Sequence, residues 1–231
     1  MSGFFVTGTD TDVGKTFVLR ALMLAFQQRG LRVAPMKPVA AGTIEVDGPQ
    51  INEDVAHMMR ETNNRFPLRA VNPYCFRDAI APHIAARREG AAVDINVIQA
   101  AYRTLAANAD IVLVEGAGGF LVPLSETDSM ALIPAALRLP VILVVGMKLG
   151  CINHALLTVE AMATRKLKLA GWIANSVGDT MNAYAENLST LKDAIAAPLL
   201  GELLSLPQGG PAVASALLNI DHLIAARENS P

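Results

Sequence analysis

A chain of 231 residues, 52% of them hydrophobic and only 5% aromatic, has enough apolar side chains for the core of one sizeable domain. Nineteen basic and 21 acidic side chains give a net charge near −2, and no basic block is present, so nucleic acid is not an expected partner. We predict a single domain that spans residues 1–231.

The positive mean hydropathy raises the question of a membrane segment. The most apolar stretch, residues 139–147, is nine residues long and ends at Lys148. A spanning helix needs about 20 apolar residues, so this stretch predicts a buried strand and no membrane partner. No signal peptide is recognisable, and the spacing of Cys75 and Cys151 fits neither a metal nor a redox motif. We therefore expect a cytoplasmic protein with reduced, packed cysteines.

Apolar runs and helical patterns alternate along the chain. In chain order we predict a strand at 4–7, a helix at 15–29, a strand at 31–36, helices at 52–61, 81–88 and 97–107, strands at 110–114 and 140–145, a helix at 151–165, a strand at 169–174, a helix at 183–196 and a strand at 199–203. Apolar strands that alternate with helices are typical of a parallel sheet covered on both faces. The expected fold class is a doubly wound α/β domain.

A glycine-containing loop, residues 8–16, lies between the first predicted strand and the first helix. Backbone N–H groups of such a loop, together with a helix N-terminus, bind anions. Lys15 would then reach the outer phosphates, and the Thr16 hydroxyl can coordinate Mg²⁺. The usual pattern is G-x-x-x-x-G-K-[ST], but Thr9 stands where the first glycine is expected and Gly8 lies one residue earlier. The context still predicts a phosphate loop rather than an ordinary turn.

A carboxylate, Glu115, follows an apolar strand, at the edge where open α/β sheets bind ligands. It could hold Mg²⁺ directly or through water, and the glycines after it permit close approach of a ligand. Asp54 could do the same, although its spacing favours a role as a dipole partner at a helix N-terminus.

A second lysine, Lys37, ends the second predicted strand. Alone it would be typical of a solvated surface charge, but beside a phosphate loop it predicts extra stabilisation of charge in phosphoryl transfer. Asp10 and Asp12 are unusual in an anion-binding loop and would need balancing cations such as Mg²⁺, Lys15 or Lys37.

Three motifs occur together: Gly-Thr-Asp-Thr-x-Val-Gly-Lys-Thr at 8–16, Glu-Gly-Ala-Gly-Gly at 115–119 and Gly-Cys-Ile-Asn-His-Ala at 150–155. With shorter matches at 37–42, 52–54, 71–74, 82–83, 139–145 and 171–175, their order and spacing resemble the dethiobiotin synthetase family from about residue 3 to 205. Any one motif alone would also fit related amidoligases and partitioning ATPases.

The resemblance implies a homodimer of doubly wound subunits, each with about seven strands and the fold of P-loop NTPases. It implies an ATP- and Mg²⁺-dependent ligase of biotin biosynthesis that acts on 7,8-diaminononanoate and CO₂. One amine would form a carbamate, ATP would phosphorylate it, and the second amine would close the ureido ring of dethiobiotin with loss of phosphate.

By position, the resemblance also implies roles for individual residues. The magnesium ligands would be Thr16, Asp54 and Glu115, and the catalytic cations Lys15 and Lys37. The substrate would contact Thr11, Lys37, Ala41 and, from the neighbouring subunit, Gly150 and Asn153. The ATP site would contain Asp12, Val13, Gly14, Lys15, Thr16, Phe17, Asp54, Glu115, Gly116, Ala117, Gly118, Asn175, Ser176, Leu204, Ser205 and Leu206, with Asn175 and Ser176 at the adenine.

The chain departs from the family pattern in two places. Position 41 is usually serine but is alanine here, so any contact must come from the backbone. A proline and an aromatic residue usually lie beside adenine, where this chain has Leu-Leu-Ser-Leu at 203–206. The contacts to the base, and with them the nucleotide selectivity, are therefore open.

Three other functions are less consistent with the sequence. A partitioning ATPase usually has Lys-Gly-Gly at the start of the loop, where this chain has Gly8-Thr9-Asp10. A cobalamin-precursor amidoligase generally carries a glutaminase domain, for which 231 residues leave no room. A dinucleotide-binding oxidoreductase would need G-x-G-x-x-G after the first strand, and that pattern is missing.

Overall fold

The computed structural model describes residues 2–45, 50–179, 181–204 and 210–228. Six of the strands in these residues form one parallel sheet in the order β10-β9-β8-β1-β7-β2, and two small pairs, β3 with β6 and β4 with β5, lie apart from it. The strands are β1 Ser2–Gly8, β2 Val33–Met36, β3 Val39–Ala41, β4 Ile44–Glu45, β5 Gln50–Ile51, β6 Tyr74–Phe76, β7 Ile111–Gly119, β8 Val141–Gly146, β9 Leu169–Asn175 and β10 Leu199–Leu203.

Helices connect the strands and cover both faces of the sheet. They are α1 Lys15–Gln28, α2 Glu53–Arg60, α3 Leu68–Val71, α4 Pro82–Arg88, α5 Ile95–Ala106, α6 Leu132–Leu137, α7 Cys151–Thr164, α8 Tyr184–Ala194, α9 Gly210–Ala216 and α10 Asp221–Glu228.

Alternate side chains of each central strand enter two separate hydrophobic clusters. On β8, Ile142 and Val144 pack into the cluster that contains α1, α9 and α10, whereas Leu143 and Val145 pack into the cluster on the opposite face, with α5, α7 and α8. Because successive side chains of a strand point to opposite faces, a continuous apolar run is what a strand buried on both sides requires.

The centre of the sheet is the point where the connections change direction. β1 lies between β7 and β8, and the chain leaves β1 through α1 to reach β2 on the far side of β7. The carboxyl ends of the parallel strands therefore place the loop after β1 beside the ends of β7, β2 and β8. Open α/β sheets bind ligands at such a position.

The doubly wound α/β fold is confirmed, but the described sheet has six strands where about seven were expected. The predicted strand at 110–114 is longer than expected and continues to Gly119, because Gly119 still pairs with Gly8 of β1. The sequence patterns missed α3, α6, α9, α10 and the two small strand pairs, each of which is eight residues or shorter. Within the described residues, no helix has the length and apolar character needed to cross a membrane.

Candidate functional site

The phosphate loop is anchored by an apolar residue inside it. Val13 is buried, and a Cβ added at Gly8 or at Gly146 would lie 2.5 Å from a Val13 methyl group. The two glycines thus allow Val13 to pack against the ends of β1 and β8. Gly14 follows with a φ of 82°, a left-handed conformation that favours glycine, and α1 begins at the next residue. The local sequence therefore directs the helix N-terminus and Lys15 toward the sheet edge.

Lys15 is almost completely buried, with 7% of the residue exposed. Its Nζ donates a hydrogen bond of 3.0 Å to the backbone oxygen of Asp10 within the same loop. Burial lowers the pKa of Lys15 below its ordinary value, while the charge of Glu115 acts in the opposite direction. Lys15 therefore faces the cluster of charges described next.

Lys37 joins the two predicted carboxylates. Its Nζ donates to Oδ2 of Asp54 and, at 2.8 Å, to Oε1 of Glu115. The same Glu115 oxygen accepts a hydrogen bond of 2.9 Å from the Thr16 hydroxyl. Lys37, which follows β2, therefore meets residues of α1, α2 and β7 at one point. Only 6% of Lys37 is exposed, so the interpretation of this lysine as a solvated surface charge is excluded.

Opposite charges set the ionisation of this cluster. Burial alone would lower the pKa of Lys37, but the nearby charges of Glu115 and Asp54 outweigh it and raise that pKa above its ordinary value. For Asp54, burial would raise the pKa, but the charge and hydrogen bond of Lys37 lower it. Lys37 is therefore held as a cation and Asp54 as an anion.

Two asparagines, to which the sequence patterns assigned no role, hold the backbone around the cluster. Asn72 donates from Nδ2 to the Lys37 oxygen at 2.6 Å, and the Lys37 N–H donates to Val71 at 2.8 Å. Asn52 caps α2, accepting from the N–H of Asp54 at 3.1 Å, and donates to the Gly42 oxygen at 2.7 Å. Asp54 thus lies in the first turn of α2, as its spacing indicated, and also contacts Lys37.

A cavity of about 850 Å³ opens over these groups. Its wall also includes Val122 and residues 79–82, to which the sequence patterns assigned no role because they are small or apolar. The lining residues are Thr11, Asp12, Gly14, Lys15, Thr16, Lys37, Ala41, Asp54, Ala79, Ile80, Ala81, Pro82, Glu115, Ala117, Gly118 and Val122.

The predicted magnesium ligands fit a hard cation. Oε2 of Glu115 is buried and has no hydrogen-bond partner among the described residues, and Asp54 and Thr16 supply further oxygens close to it. The described chain has no group of three His, Cys, Asp or Glu side chains able to hold a metal by themselves. Two carboxylates and a hydroxyl suit Mg²⁺, which takes one or two carboxylates and completes its shell with water and substrate phosphates.

Several predicted residues lie outside this cavity. Val13, Phe17 and Gly116 pack behind it, Phe17 against the cluster on the α1 face and Gly116 against Phe5. Asn175 and Ser176 are buried at the end of β9.

The remaining predictions for base and substrate contacts are spread along the edge of the sheet. Leu204 is 47% exposed after β10, whereas Ser205 and Leu206 are not among the described residues. Gly150 caps α7 with a φ of 95°, Asn153 is exposed in the first turn of that helix, and neither residue lines the cavity.

A second cavity, of about 380 Å³, adjoins the first and shares Thr11 and Val122 with it. One side of it is polar and includes Thr9 and Asp10; the other is mainly apolar. Asp10 also forms an ion pair of 3.0 Å with Lys148, whose hydrogen bond is the largest influence lowering the pKa of Asp10. The apolar side contains Phe120, Leu121, Val122, Leu157 and Ala161.

Solved structures share this fold at low sequence identity. The MinC:MinD cell division complex of Aquifex aeolicus is 13% identical, with a TM-score of 0.53 over 95% of this chain and 88% of that one. The cell division ATPase MinD of Pyrococcus furiosus is 15% identical, with a TM-score of 0.51 over 96% and 91%. These likenesses establish the fold of a P-loop NTPase. The family described as AAA domain matches residues 2–212, so the chain belongs to that family.

Proposed function

We propose that this protein is a dethiobiotin synthetase, a single-domain cytoplasmic ligase that closes the ureido ring of dethiobiotin. Its substrates would be 7,8-diaminononanoate, CO₂ and MgATP, and its other products ADP and phosphate. The observation that carries the proposal is the shared cavity. Lys15 and Thr16 of the phosphate loop line it together with Lys37 and with the two positions expected to contact the diamine, Thr11 and Ala41.

The two lysines suit the charges that this reaction develops. One amine adds to CO₂ to give a carbamate anion, and a carbamate oxygen then takes the terminal phosphoryl group of ATP. The second amine attacks the carbamoyl carbon, and the C–O bond breaks as phosphate leaves. Each step concentrates negative charge on oxygen, and Lys37, held as a cation by Glu115 and Asp54, can stabilise that charge beside Lys15.

Thr16, Asp54 and Glu115 would hold Mg²⁺. When bound, the ion would neutralise charge on the ATP phosphates. Asp54 and Glu115 also accept hydrogen bonds from Lys37, and Glu115 accepts one from Thr16. The two carboxylates therefore orient the lysine as well as offering oxygens to the metal. Replacing Glu115 would disturb metal binding and the orientation of Lys37 more than replacing Asp54 would, because Glu115 lies in the sheet and only 1% of its side chain is exposed.

The second cavity would accept the aliphatic part of the diamine. Its apolar wall of Phe120, Leu121 and Leu157 begins at Thr11, next to the position proposed for the reacting amines. A saturated carbon chain gains free energy from burial at such a wall, on the order of 0.8 kcal/mol per CH₂ group.

We further propose that the enzyme acts as a homodimer. Leu149 is 91% exposed just before α7, and Leu156 and Leu157 are exposed on α7. Leu157 lines the second cavity together with Leu121, which is also exposed. A second copy packed here would bury these side chains. Gly150 and Asn153 at the N-terminus of α7 would then receive the substrate carboxylate from the neighbouring subunit, since the first turn of a helix offers free N–H groups.

A second candidate is a nucleotide-dependent switch of the partitioning type. The structural likeness to MinD favours it, although at 13–15% identity that likeness concerns the fold alone. Gly8-Thr9-Asp10 occupies the part of the loop where such switches usually carry Lys-Gly-Gly. A switch would hydrolyse ATP without a diamine, whereas a ligase would not.

Phosphate release is the deciding experiment, measured with ATP, Mg²⁺, 7,8-diaminononanoate and bicarbonate, and with each omitted in turn. The ligase requires all four and forms dethiobiotin, detected by mass, in a 1:1 ratio with phosphate. Phosphate release that continues at the same rate without the diamine would refute the ligase and favour the switch.

A further inference from the structure

The side chain of Asn175 contacts the phosphate loop directly. Its Nδ2 donates a hydrogen bond of 2.8 Å to the backbone oxygen of Val13, and the two residues are 162 positions apart in the chain. Only 3% of Asn175 is exposed. The resemblance implied an adenine contact for this residue, but at least one N–H of its amide is bonded to protein.

Asn175 is itself firmly held. It ends β9 between two neighbouring strands, in register with Gly146 of β8 and Leu203 of β10. Its backbone oxygen accepts a hydrogen bond of 2.9 Å from the N–H of Met147. Because its backbone is held by both neighbouring strands, the Asn175 side chain can keep its hydrogen-bond partner at a fixed position relative to the sheet.

The side chain of Asn175 contacts Val13 and Gly14, the two residues that precede α1. Gly14 is the N-cap of α1, and among the described residues no side chain makes a capping hydrogen bond there. A Cβ at Gly14 would lie 2.2 Å from Nδ2 of Asn175, so the amide lies directly against the loop backbone. Lys15, which would reach the outer phosphates, is the next residue.

We propose that Asn175 is a positioning residue of the phosphate loop. Through the Val13 oxygen it fixes the loop's backbone N–H groups and Lys15 in the geometry that binds the phosphates. The amide also prevents the Val13 carbonyl from turning into the site, where its oxygen would repel an anion. Asn175 thus contributes to affinity for the phosphate chain of any nucleotide, irrespective of the base. The inference rests on nucleotide binding by the loop, which is part of the proposed function, but not on ring closure.

Inorganic tripolyphosphate separates this role from base recognition, because it has no base. Dissociation constants for tripolyphosphate, ATP and GTP would be measured by calorimetry with Mg²⁺ for the wild type, Asn175→Ala and the isosteric Asn175→Asp. We expect a loss of about tenfold for all three ligands, the effect of one lost buried hydrogen bond. Ser215→Ala is the control, because Ser215 of α9 is also a buried polar side chain, donates a hydrogen bond of 2.7 Å to the Ala212 oxygen and lines neither cavity. Its affinity for tripolyphosphate should equal that of the wild type.

Thermal unfolding would show which variants are folded. If Asn175→Ala is not folded, the binding comparison is made with Asn175→Asp. A folded Asn175 variant that loses affinity for ATP but binds tripolyphosphate and GTP like the wild type would overturn the inference and assign the amide to adenine. Diamine-dependent phosphate release by the wild type is measured in parallel. Its failure, with tripolyphosphate binding intact, would refute the ligase and leave the inference on Asn175 standing.

Discussion

Lys37 donates a hydrogen bond of 2.8 Å from Nζ to Oε1 of Glu115, and the two side chains are only 8% and 1% exposed. Such a pair is costly to break, because removing one partner leaves a charge buried without its counter-ion. The pair also connects the residue after β2 to β7 at the carboxyl edge of the sheet.

The first prediction concerns stability. Lys37→Met should lower the free energy of unfolding by about 3 kcal/mol, since Glu115 would be left without its closest cation. Urea denaturation measures the change. Lys192→Met is the matched control, because Lys192 pairs with Glu202 on the surface and should contribute less than about 1 kcal/mol. Equal stability of the two variants would contradict a strongly coupled buried pair.

The second prediction concerns Lys15. Lys15→Ala should reduce diamine-dependent phosphate release by about 10³-fold or more, because a cation on the transferring phosphoryl group is lost. Circular dichroism should show an intact fold, and the exposed Lys168→Ala should turn over normally. If Lys15→Ala is folded and releases phosphate at a near-normal rate, the assignment of residues 8–16 as a catalytic phosphate loop is wrong.

The sequence predicted the parts of the site that carry a local chemical signature. The Gly-Lys-Thr turn and the carboxylate after an apolar strand are each recognisable within about ten residues. Lys37 was ambiguous on its own, since a lysine after a strand is more often solvated. Its role depends on Glu115, 78 positions away, and on the fact that β2 lies next to β7.

Other parts of the site left no signal in the sequence. The cavity wall from Ala79 to Ala81 consists of small and apolar side chains, whose types are equally common in any core. The bond from Asn175 to Val13 spans 162 positions and involves a backbone oxygen, which has no sequence identity to recognise. Such contacts follow from strand order and loop conformation, so they appear only in the folded chain.

The third prediction concerns magnesium. Asp54→Asn and Glu115→Gln should each raise the Mg²⁺ concentration needed for half-maximal phosphate release, by about tenfold or more. Glu53→Gln is the control for the helix-dipole alternative, since Glu53 lies beside Asp54 in the first turn of α2 and is exposed. If all three variants keep the wild-type dependence on Mg²⁺, the ligand assignment is wrong. If Glu53→Gln raises the required Mg²⁺ concentration as much as Asp54→Asn does, Asp54 acts through the helix dipole and not as a metal ligand.

The fourth prediction concerns alkaline pH. Burial raises the pKa of Tyr102 from 10.0 to about 12. The folded state thus holds the phenol proton more tightly than the unfolded state does. The resulting stabilisation is complete below pH 10 and is lost as the pH rises toward 12, by about 2 kcal/mol. Tyr102→Phe should lack this loss, so the difference in unfolding free energy between the two proteins should change between pH 9 and pH 12. A constant difference would contradict the burial effect.

The last prediction concerns the base. Nδ2 of Asn175 donates to Val13, and Leu204 lies 47% exposed beyond β10, where the dethiobiotin synthetases that the sequence resembles usually have a proline and an aromatic side chain. An aliphatic side chain offers no ring for the base to stack on, so affinity should come mainly from the phosphates. CTP and GTP should therefore support measurable ring closure, tested with each triphosphate at matched concentration. Leu204→Ala should leave the ratio of rates with ATP and CTP nearly unchanged. A preference for ATP above a hundredfold, about 2.7 kcal/mol of discrimination, would show that residues at this edge of the sheet read adenine after all.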